Sequence, residues 1–190
     1  MYLRLAQDPA LYALLLRGDA ETSARAGDCA CAWCGGPLYQ ANYPRKPRGM
    51  QVVPEGYWVR SSFCCGVEGC RKRCTPPSVR FLGRRVYVGA VVLLATAMLH
   101  GVNARRAAEL RALFGMDVRT LERWRQWWLD AFVRSETWQS LRAMLIPAVD
   151  PLNMPLSLVE RRCDPQDVGK LAVLLRGFGA LTTGSCAVRF

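Results

Sequence analysis

The sequence contains a single histidine, His100, among its 190 residues, and this scarcity excludes several kinds of catalytic site. Zinc hydrolases usually hold their metal with histidines, and a cysteine nucleophile needs a base that is usually histidine. His100 ends an apolar run beside Gly101, which favours a helix-end role over catalysis. No glycine-rich phosphate loop is present either. We therefore expect a protein that is not an enzyme and has no small-molecule substrate.

Long hydrophobic runs are also missing. The longest apolar run covers residues 86–99, which is 14 residues, whereas a membrane-spanning helix needs about 20. The start of the chain has only a short apolar run, interrupted by Asp8 and Pro9, and no secretory cleavage site follows. We expect a buried core helix at 86–99, no membrane partner, and a cytoplasmic, nucleoid-associated protein with reduced cysteines.

Acidic residues are few, and their scarcity is local. The chain carries 26 Lys and Arg against 15 Asp and Glu, a net charge of +11. Residues 45–125 hold 16 of the cations and 5 of the acids, so 16 − 5 = +11, and the other 109 residues balance at ten of each sign. All the excess charge thus lies in the middle of the chain. A polyanion is the natural partner of such a segment, and a solvated basic surface is the alternative.

Cysteines are abundant, and seven of the nine lie between residues 29 and 74. An odd, clustered set in a reducing compartment favours metal binding over a disulfide framework. The first half of the cluster is a C-x-x-C pair followed by two glycines, which let the backbone turn its amides toward the thiolates. A redox pair is less favoured, because no βαβ pattern surrounds it.

The second half is a wider turn that contains Gly66 and Gly69. If residues 63–65 form a strand, adjacent Cys64 and Cys65 point to opposite faces, and we choose Cys65 as the ligand. Cys64 and Cys74 remain alternative ligands; otherwise they are spare thiols, as is Cys29. Four thiolates at the corners of a tetrahedron suit one structural Zn²⁺. The predicted metal ligands are Cys31, Cys34, Cys65 and Cys70.

The segments on either side of this second half complete the module. Residues 39–63 predict a β-hairpin with a basic, proline-rich tip, in which the strand-like runs 51–53 and 57–63 are separated by a Pro-Glu-Gly turn. The metal would supply folding energy that so short a segment lacks. Three consecutive cations follow the cysteines, and we predict that their turn presents them to phosphates. They are Arg71, Lys72 and Arg73.

The middle of the chain predicts three helices, at about 84–100, 104–114 and 118–134. Asn103 and Asp117 are the predicted N-caps of the last two, and Gly115 ends the helix between them. Helix, short glycine turn and helix are typical of a helix-turn-helix, whose second helix enters the major groove of double-stranded DNA. The residues predicted to contact bases or phosphates are Arg105, Arg106, Arg119, Thr120, Arg123 and Gln126.

Helical spacing also predicts which side chains of the last helix are buried. One face carries mainly large apolar residues, and we expect it to pack on the core. Trp127 lies off this face, and we predict that it contacts a partner. The predicted core positions are Val118, Leu121, Trp124, Trp128, Leu129 and Phe132.

The motifs CAWCGG and FCCGVEGCRKRCTPPSVRFLGRR, followed by NARRAAELRALFGMDVRTLERWRQWW, resemble a known family. They are similar to the zinc-ribbon plus helix-turn-helix modules of bacterial insertion-sequence transposases and their accessory proteins, over roughly residues 29–130. The resemblance implies double-stranded DNA binding, with zinc carried by the four cysteines Cys31, Cys34, Cys65 and Cys70. It leads us to expect a role in transposition or transcription regulation.

Two departures limit what the resemblance implies. Cys74 stands where the family usually has an aromatic residue. A transposase also needs an acidic triad on a large α/β domain, whereas only 55 residues with five acids follow residue 135. The resemblance therefore implies DNA binding and not DNA cleavage.

The expected fold is a small zinc ribbon, built on a β-hairpin, followed by an all-α helix-turn-helix bundle, and α-rich overall. The last region predicts a helix after Ser135, a connector over 150–163 and a final helix capped by Asp164. That final helix could pack on residues 1–17, on the bundle, on a second copy of the chain or on a transposase. The expected domains are 1–28 (N-terminal helix and linker), 29–80 (zinc ribbon), 81–134 (helix-turn-helix) and 135–190 (helical extension).

Two other functions are compatible with the same residues. A zinc-stapled RNA-binding protein would stack bases on Tyr43, Tyr57 and Trp58. A non-catalytic interaction subunit would use the helical tail to bind a larger assembly.

Overall fold

The computed structural model describes residues 2–46, 48, 53–82, 87–98 and 101–181, and it is rich in α-helix with two small antiparallel sheets. The predicted α-rich composition is therefore confirmed. Within these ranges no helix combines the length and the apolar character that crossing a membrane requires. The α-helices are α1 (Pro9–Gly27), α2 (Gly89–Thr96), α3 (Ala104–Phe114), α4 (Val118–Trp127), α5 (Glu136–Ala143), α6 (Leu156–Arg162) and α7 (Val168–Gly177). The strands are β1 (Leu38–Gln40), β2 (Tyr43–Pro44), β3 (Val59–Arg60), β4 (Phe63–Cys65) and β5 (Arg73–Cys74).

Helix α2 lies at the centre of the main core, and all eight of its residues are buried. Its apolar side chains point in every direction, so neighbours must cover it on all sides. Those neighbours are a 3-10 helix at Tyr2–Gln7, α4 and α7. The predicted ends of this helix, at Arg84 and His100, lie outside the described residues.

The three-stranded sheet has the order β1-β4-β5, and all its pairings are antiparallel. One face packs on the end of α1, where Phe63 and Cys74 form a small cluster with Ala26. The other sheet is the pair β2 and β3, which places Tyr43 opposite Arg60.

The predicted hairpin is therefore wrong in its pairing. Within the run 57–63, Val59, Arg60 and Phe63 pair with Pro44, Tyr43 and Gln40, which precede the basic tip; residues 51 and 52 of the predicted partner run lie outside the described residues. The physical reason is visible at Val53, which packs against the main core instead of joining a strand. Tyr57 then turns the chain by donating its backbone N–H to Pro54 O at 3.1 Å.

Helices α3 and α4 are bounded by the predicted residues. Asn103 Oδ1 accepts from the backbone N–H of Arg106 at 2.8 Å, and Asp117 Oδ1 accepts from that of Thr120 at 2.8 Å. Gly115 ends α3 with a φ of 61°, in the left-handed region that favours glycine. The predicted continuation to residue 134 differs, because α4 passes into a π-helical turn at Trp128–Phe132.

The C-terminal region corrects two expectations. The predicted connector contains helix α6, because its proline precedes the first helical residue, where a missing N–H costs no hydrogen bond. The final helix is capped by Asp167 and not by Asp164. Asp164 instead closes a turn by accepting from the backbone N–H of Gln166 at 2.9 Å. Helix α7 packs both on α1 and on α2 of the central bundle, so two of the predicted packing partners are used together.

A buried ion pair joins the N-terminal helix to the segment that links the sheets to α2. Arg80 Nε lies 2.6 Å from Asp19 Oδ2, and both side chains are 2% exposed. Asp19 also accepts from the backbone N–H of Val79 at 2.7 Å. The guanidinium of Arg80 donates onward to the carbonyls of Tyr57 and Val59. The pair therefore fixes α1, β3 and the linking segment relative to one another.

Candidate metal centre and basic surface

Four cysteine sulfurs lie together at one end of the molecule, and they are the four that the sequence predicts. Their Sγ atoms all lie within 4.8 Å of one another. Cys31 Sγ is 3.8 Å from Cys70 Sγ, and Cys34 Sγ is 3.4 Å from Cys65 Sγ. A tetrahedron of metal–sulfur bonds near 2.3 Å has sulfur–sulfur edges of about 3.8 Å. The cluster could therefore bind one metal ion.

The first pair of sulfurs is placed by a tight loop over residues 31–36. Cys31 donates its backbone N–H to Gly36 O at 2.8 Å, and Gly35 donates back to Cys31 O at 2.8 Å. Gly35 has a φ of 71°, which a side chain would strain. A Cβ on Gly36 would lie 2.3 Å from Val67 Cγ2 and 3.4 Å from the sulfurs of Cys34 and Cys65. Both glycines are thus required by the geometry of the cluster.

The second pair is placed by β4 and the turn that follows it. Alternation along β4 buries Cys65 within the cluster and directs Cys64 to the opposite face, as predicted. Cys64 Sγ lies 3.4 Å from Arg71 O, outside the cluster. Gly69, with a φ of 85°, lets the chain turn so that Cys70 N–H reaches Val67 O at 3.1 Å.

The pKa values of two of these thiols are shifted in opposite directions. The backbone N–H of Trp33 donates to Cys31 and lowers the pKa of that thiol from 9.0 to about 7. The backbone N–H of Val67 lowers the pKa of Cys65, but burial and the neighbouring cysteines outweigh it and raise that pKa to about 12. Several thiolates cannot share this volume without a cation to offset their charge. Metal binding would therefore release protons.

The other described cysteines lie outside the cluster. Cys29 is exposed, and its thiol donates to Arg25 O at 3.2 Å. Cys163 is buried among the C-terminal helices, and burial raises its pKa to about 12. Cys74 is disulfide-bonded, which corrects the expectation that it is either a ligand or a spare thiol.

The three cations after the second cysteine turn are exposed, but two of them also make contacts with rings. Lys72 Nζ lies 5.2 Å from the centre of the Trp33 ring. The guanidinium of Arg73 lies 5.6 Å from the centre of the Tyr43 ring and donates to Ala41 O at 3.2 Å. Arg71 has a φ of 43° and is the one described non-glycine residue with positive φ.

A second group of predicted residues lies on α3 and α4. Arg105, Arg119, Arg123 and Gln126 are exposed, as expected. Arg106 is half-buried and forms an ion pair with Glu109 at 3.1 Å. Thr120 does not project into solvent: its side chain is buried, and its hydroxyl donates to Asp117 Oδ2 at 3.1 Å.

An open groove of about 870 Å³ runs between α3 and the first turns of α4. Small residues of α3 form one wall, which leaves the floor accessible. Arg111 lies in the groove beside Arg119 and Arg123, and sequence reasoning missed it. Its position on an exposed face of α3, one turn from the glycine that ends the helix, is a signal that could have identified it.

Two of the predicted core residues of the last helix differ from their predicted burial. Trp124 and Trp128 are core residues, as predicted, but Val118 and Leu129 are exposed. Trp127 packs against the rings of Trp128 and Phe132, at 4.7 and 5.6 Å between ring centres.

One of the three aromatic residues assigned to RNA stacking differs as well, whereas Tyr43 and Trp58 are half-buried. Tyr57 is fully buried, so it cannot stack on a base. The exposed rings of the cysteine module are Trp33 and Tyr39, which the sequence did not single out.

Comparison with known proteins does not assign this chain to a family. No family model matches the sequence, and no matching curated protein or solved structure was found. The resemblance of residues 29–130 to transposase modules stays a prediction. Function must therefore be argued from the cysteine cluster and the basic surface themselves.

Proposed function

We propose that this protein binds double-stranded DNA through α3 and α4, acting as a helix-turn-helix, and that its four cysteines hold one structural zinc ion in a zinc ribbon. One observation carries the proposal: Arg119 and Arg123 are exposed on the first two turns of α4. Neither forms an ion pair within the described part of the chain. Like charges four residues apart destabilise a helix by about 0.2–0.5 kcal/mol. A phosphate backbone would remove that repulsion.

The metal is proposed as zinc because of the ligand set. Four soft thiolates in a tetrahedral arrangement suit zinc, and carboxylates are absent from the cluster of Cys31, Cys34, Cys65 and Cys70. A site closed by four protein ligands leaves no position for a reacting water. The proposed role of the metal is therefore to stabilise the fold, and we propose no catalytic activity.

The exposed cations of the helix pair support this proposal. In a helix-turn-helix the N-terminal residues of the second helix reach base edges, while the preceding helix lies near phosphates. We assign Arg119 and Arg123, in the first two turns of α4, to the first role, and Arg105 and Arg111 of α3 to the second; Gln126, in the last turn of α4, would contact DNA beyond them. Thr120 is left out of the proposed contacts because it is buried. Arginine and glutamine can read guanine and adenine in the major groove.

The biological setting is proposed only from the resemblance to insertion-sequence modules. We propose an accessory role in transposition or in transcription regulation. A protein with this role needs specific duplex binding and no active site of its own.

The first test is a titration of random double-stranded DNA with the zinc-quantified protein over a series of salt concentrations. The variant Arg119→Ala/Arg123→Ala should bind more weakly. On random DNA, where no specific bases are read, both cations would contact phosphates, so the slope of log affinity against log salt should fall by about 2, since each lost phosphate contact removes about 0.9. The matched control is Arg17→Ala/Arg25→Ala on α1, which removes the same charge from exposed positions. Equal losses in both variants would mean that α4 has no special role.

A second candidate function, a non-catalytic interaction subunit, is favoured by the C-terminal helices. An apolar groove of about 780 Å³ lies among α5, α6 and α7, and Met144 and Val173 on its wall are largely exposed. This function predicts that Arg119→Glu/Arg123→Glu leaves association with other proteins intact, as measured by size-exclusion chromatography with light scattering.

A further inference from the structure

The three-stranded sheet has an outer face that the proposed duplex site does not use. The register places Tyr39 opposite Cys64, and Cys64 opposite Arg73, so the three residues form one row across the strands. Directly opposed residues share a face of the sheet. The inner face, with Phe63 and Cys74, is buried against α1. The row therefore faces solvent.

The ring of Tyr39 is exposed and also held in place. Its exposed fraction is 62%. A Cβ added to Gly66 would lie 2.2 and 2.8 Å from two ring carbons of Tyr39, so the ring rests directly on the glycine backbone. A fixed aromatic ring loses little conformational entropy when a flat ligand stacks on it. This is the property of a binding platform.

Cations surround the exposed rings of this module. Trp33 is 47% exposed with Lys72 beside it, and Tyr43 lies beside Arg73 at the edge of the row. Residues 29–80 carry eight Lys and Arg and two Glu; Arg60 and Arg80 are buried, so six cations remain near the surface and 6 − 2 = +4. Exposed rings interleaved with cations are typical of surfaces that bind single-stranded nucleic acid, with bases on the rings and phosphates on the cations.

The ligand that fits is a strand with unpaired bases. In a duplex the faces of the bases are covered by their neighbours, so a flat ring has nothing to stack on except at an end or an unpaired segment. We infer that the outer sheet face, with Tyr39 as its stacking platform and with Arg73 of the same row and the nearby Arg71 as phosphate contacts, binds unpaired nucleotides of DNA. This inference rests on the proposed function only in taking DNA, and not RNA, as the ligand.

Packed contacts link the segment between the strands to the α3–α4 pair, and the inference takes both surfaces to contact the same molecule of DNA. A β-bridge joins Arg48 to Tyr87, and the hydroxyl of Tyr87 lies 3.3 Å from Gly115 O, in the turn between α3 and α4. The ring of Tyr87 also packs on Trp124 of α4 at 5.1 Å. The protein would therefore favour junctions at which duplex DNA meets a single strand.

The experiment compares a blunt duplex with the same duplex carrying a thymidine overhang of about ten nucleotides, which is within the site size of small single-strand-binding modules. We expect the full chain to bind the overhang substrate roughly tenfold more tightly. Tyr39→Ala should abolish this preference without changing blunt-duplex affinity, and Tyr39→Phe should retain it. Trp33→Ala is a second ring variant, expected to reduce the preference in part. Zinc content and thermal melting confirm that each variant is folded.

The outcomes separate this inference from the proposed function. Equal affinity for both substrates, or an equal loss on both in Tyr39→Ala, overturns the inference. Binding to the thymidine strand alone, with no binding to blunt duplex, supports the inference and overturns the duplex site. Tighter binding of a uridine RNA of the same length than of the DNA overhang overturns the choice of DNA.

Discussion

The cysteine module (residues 29–80) and the helical body (the helices α1 to α7) are stabilised in different ways. The body buries a continuous apolar core around α2, with Trp128 and Phe132 packed against Phe178. The apolar cluster of the module contains Phe63, Cys74 and Ala26, with Leu38 at its edge. This cluster buries little apolar surface, so the module must gain the rest of its stability from contacts with the body, such as buried Tyr57, and from cross-links such as the disulfide bond of Cys74. We therefore expect a metal bound by the four cysteines to stabilise the module much more than the body.

The largest expected effect is the unfolding of the cysteine module while the helical body stays folded. Structural zinc contributes on the order of 10 kcal/mol to the folding of small zinc modules. Cys65→Ser should therefore abolish metal binding and disorder the sheets, while the helical circular dichroism of the body persists. The control is the adjacent Cys64→Ser, which should keep one metal per chain by elemental analysis. Loss of metal in both variants would contradict the assignment of Cys65.

The next effect breaks the body alone. Trp128 is fully buried, and its ring centre lies 4.7 Å from that of Phe132. Trp128→Ala should lower the free energy of unfolding by about 3–5 kcal/mol through the cavity it leaves. Trp33→Ala, at an exposed ring, should change it by less than about 0.5 kcal/mol. Both variants should retain their metal; a Trp128→Ala protein without metal would show that the two regions do not form separate stabilising units.

The smallest expected effect is a difference in pH dependence between two helix N-caps of the body. Asn103 caps α3, and Asp117 caps α4. The backbone N–H of Thr120 is the main cause that lowers the pKa of Asp117 from 3.8. A lowered folded-state pKa means that the stabilisation is present above the ordinary value and is lost as pH falls through the lowered one. The amide of Asn103 does not titrate.

Acid titration followed by NMR of the backbone amides would test this difference. Amides at the start of α4 should change with the titration of Asp117, and those at the start of α3 should not. Asp117→Asn should remove the change at α4 while keeping the cap. An unchanged titration in that variant would mean that another group is responsible.

Local sequence signals predicted most of the cysteine cluster and the helix pair. Asn103, Gly115 and Asp117 fix the ends of α3 and α4 because caps act within one turn of the chain. Strand alternation was enough to choose Cys65 over Cys64. These predictions succeeded because each depends on residues a few positions apart.

Features that depend on distant parts of the chain could not be predicted. Tyr57 reads as an exposed loop aromatic, yet the rings of Tyr12 and Phe81 pack on it. Asp19 and Arg80 are 61 residues apart, so nothing local pairs them. Val118, the first residue of α4, borders the open groove beside α3, and a helical wheel does not represent such a neighbour.

That buried ion pair has a consequence for how the chain can be divided. The sequence predicts a boundary near residue 28, but a fragment beginning at Cys29 would lack the Asp19 carboxylate that pairs with Arg80, and breaking such a buried pair costs about 3–5 kcal/mol. It would also uncover Phe63, which packs on Ala26 at the end of α1. We therefore expect the segment that holds the cysteine cluster to fold only when α1 is present.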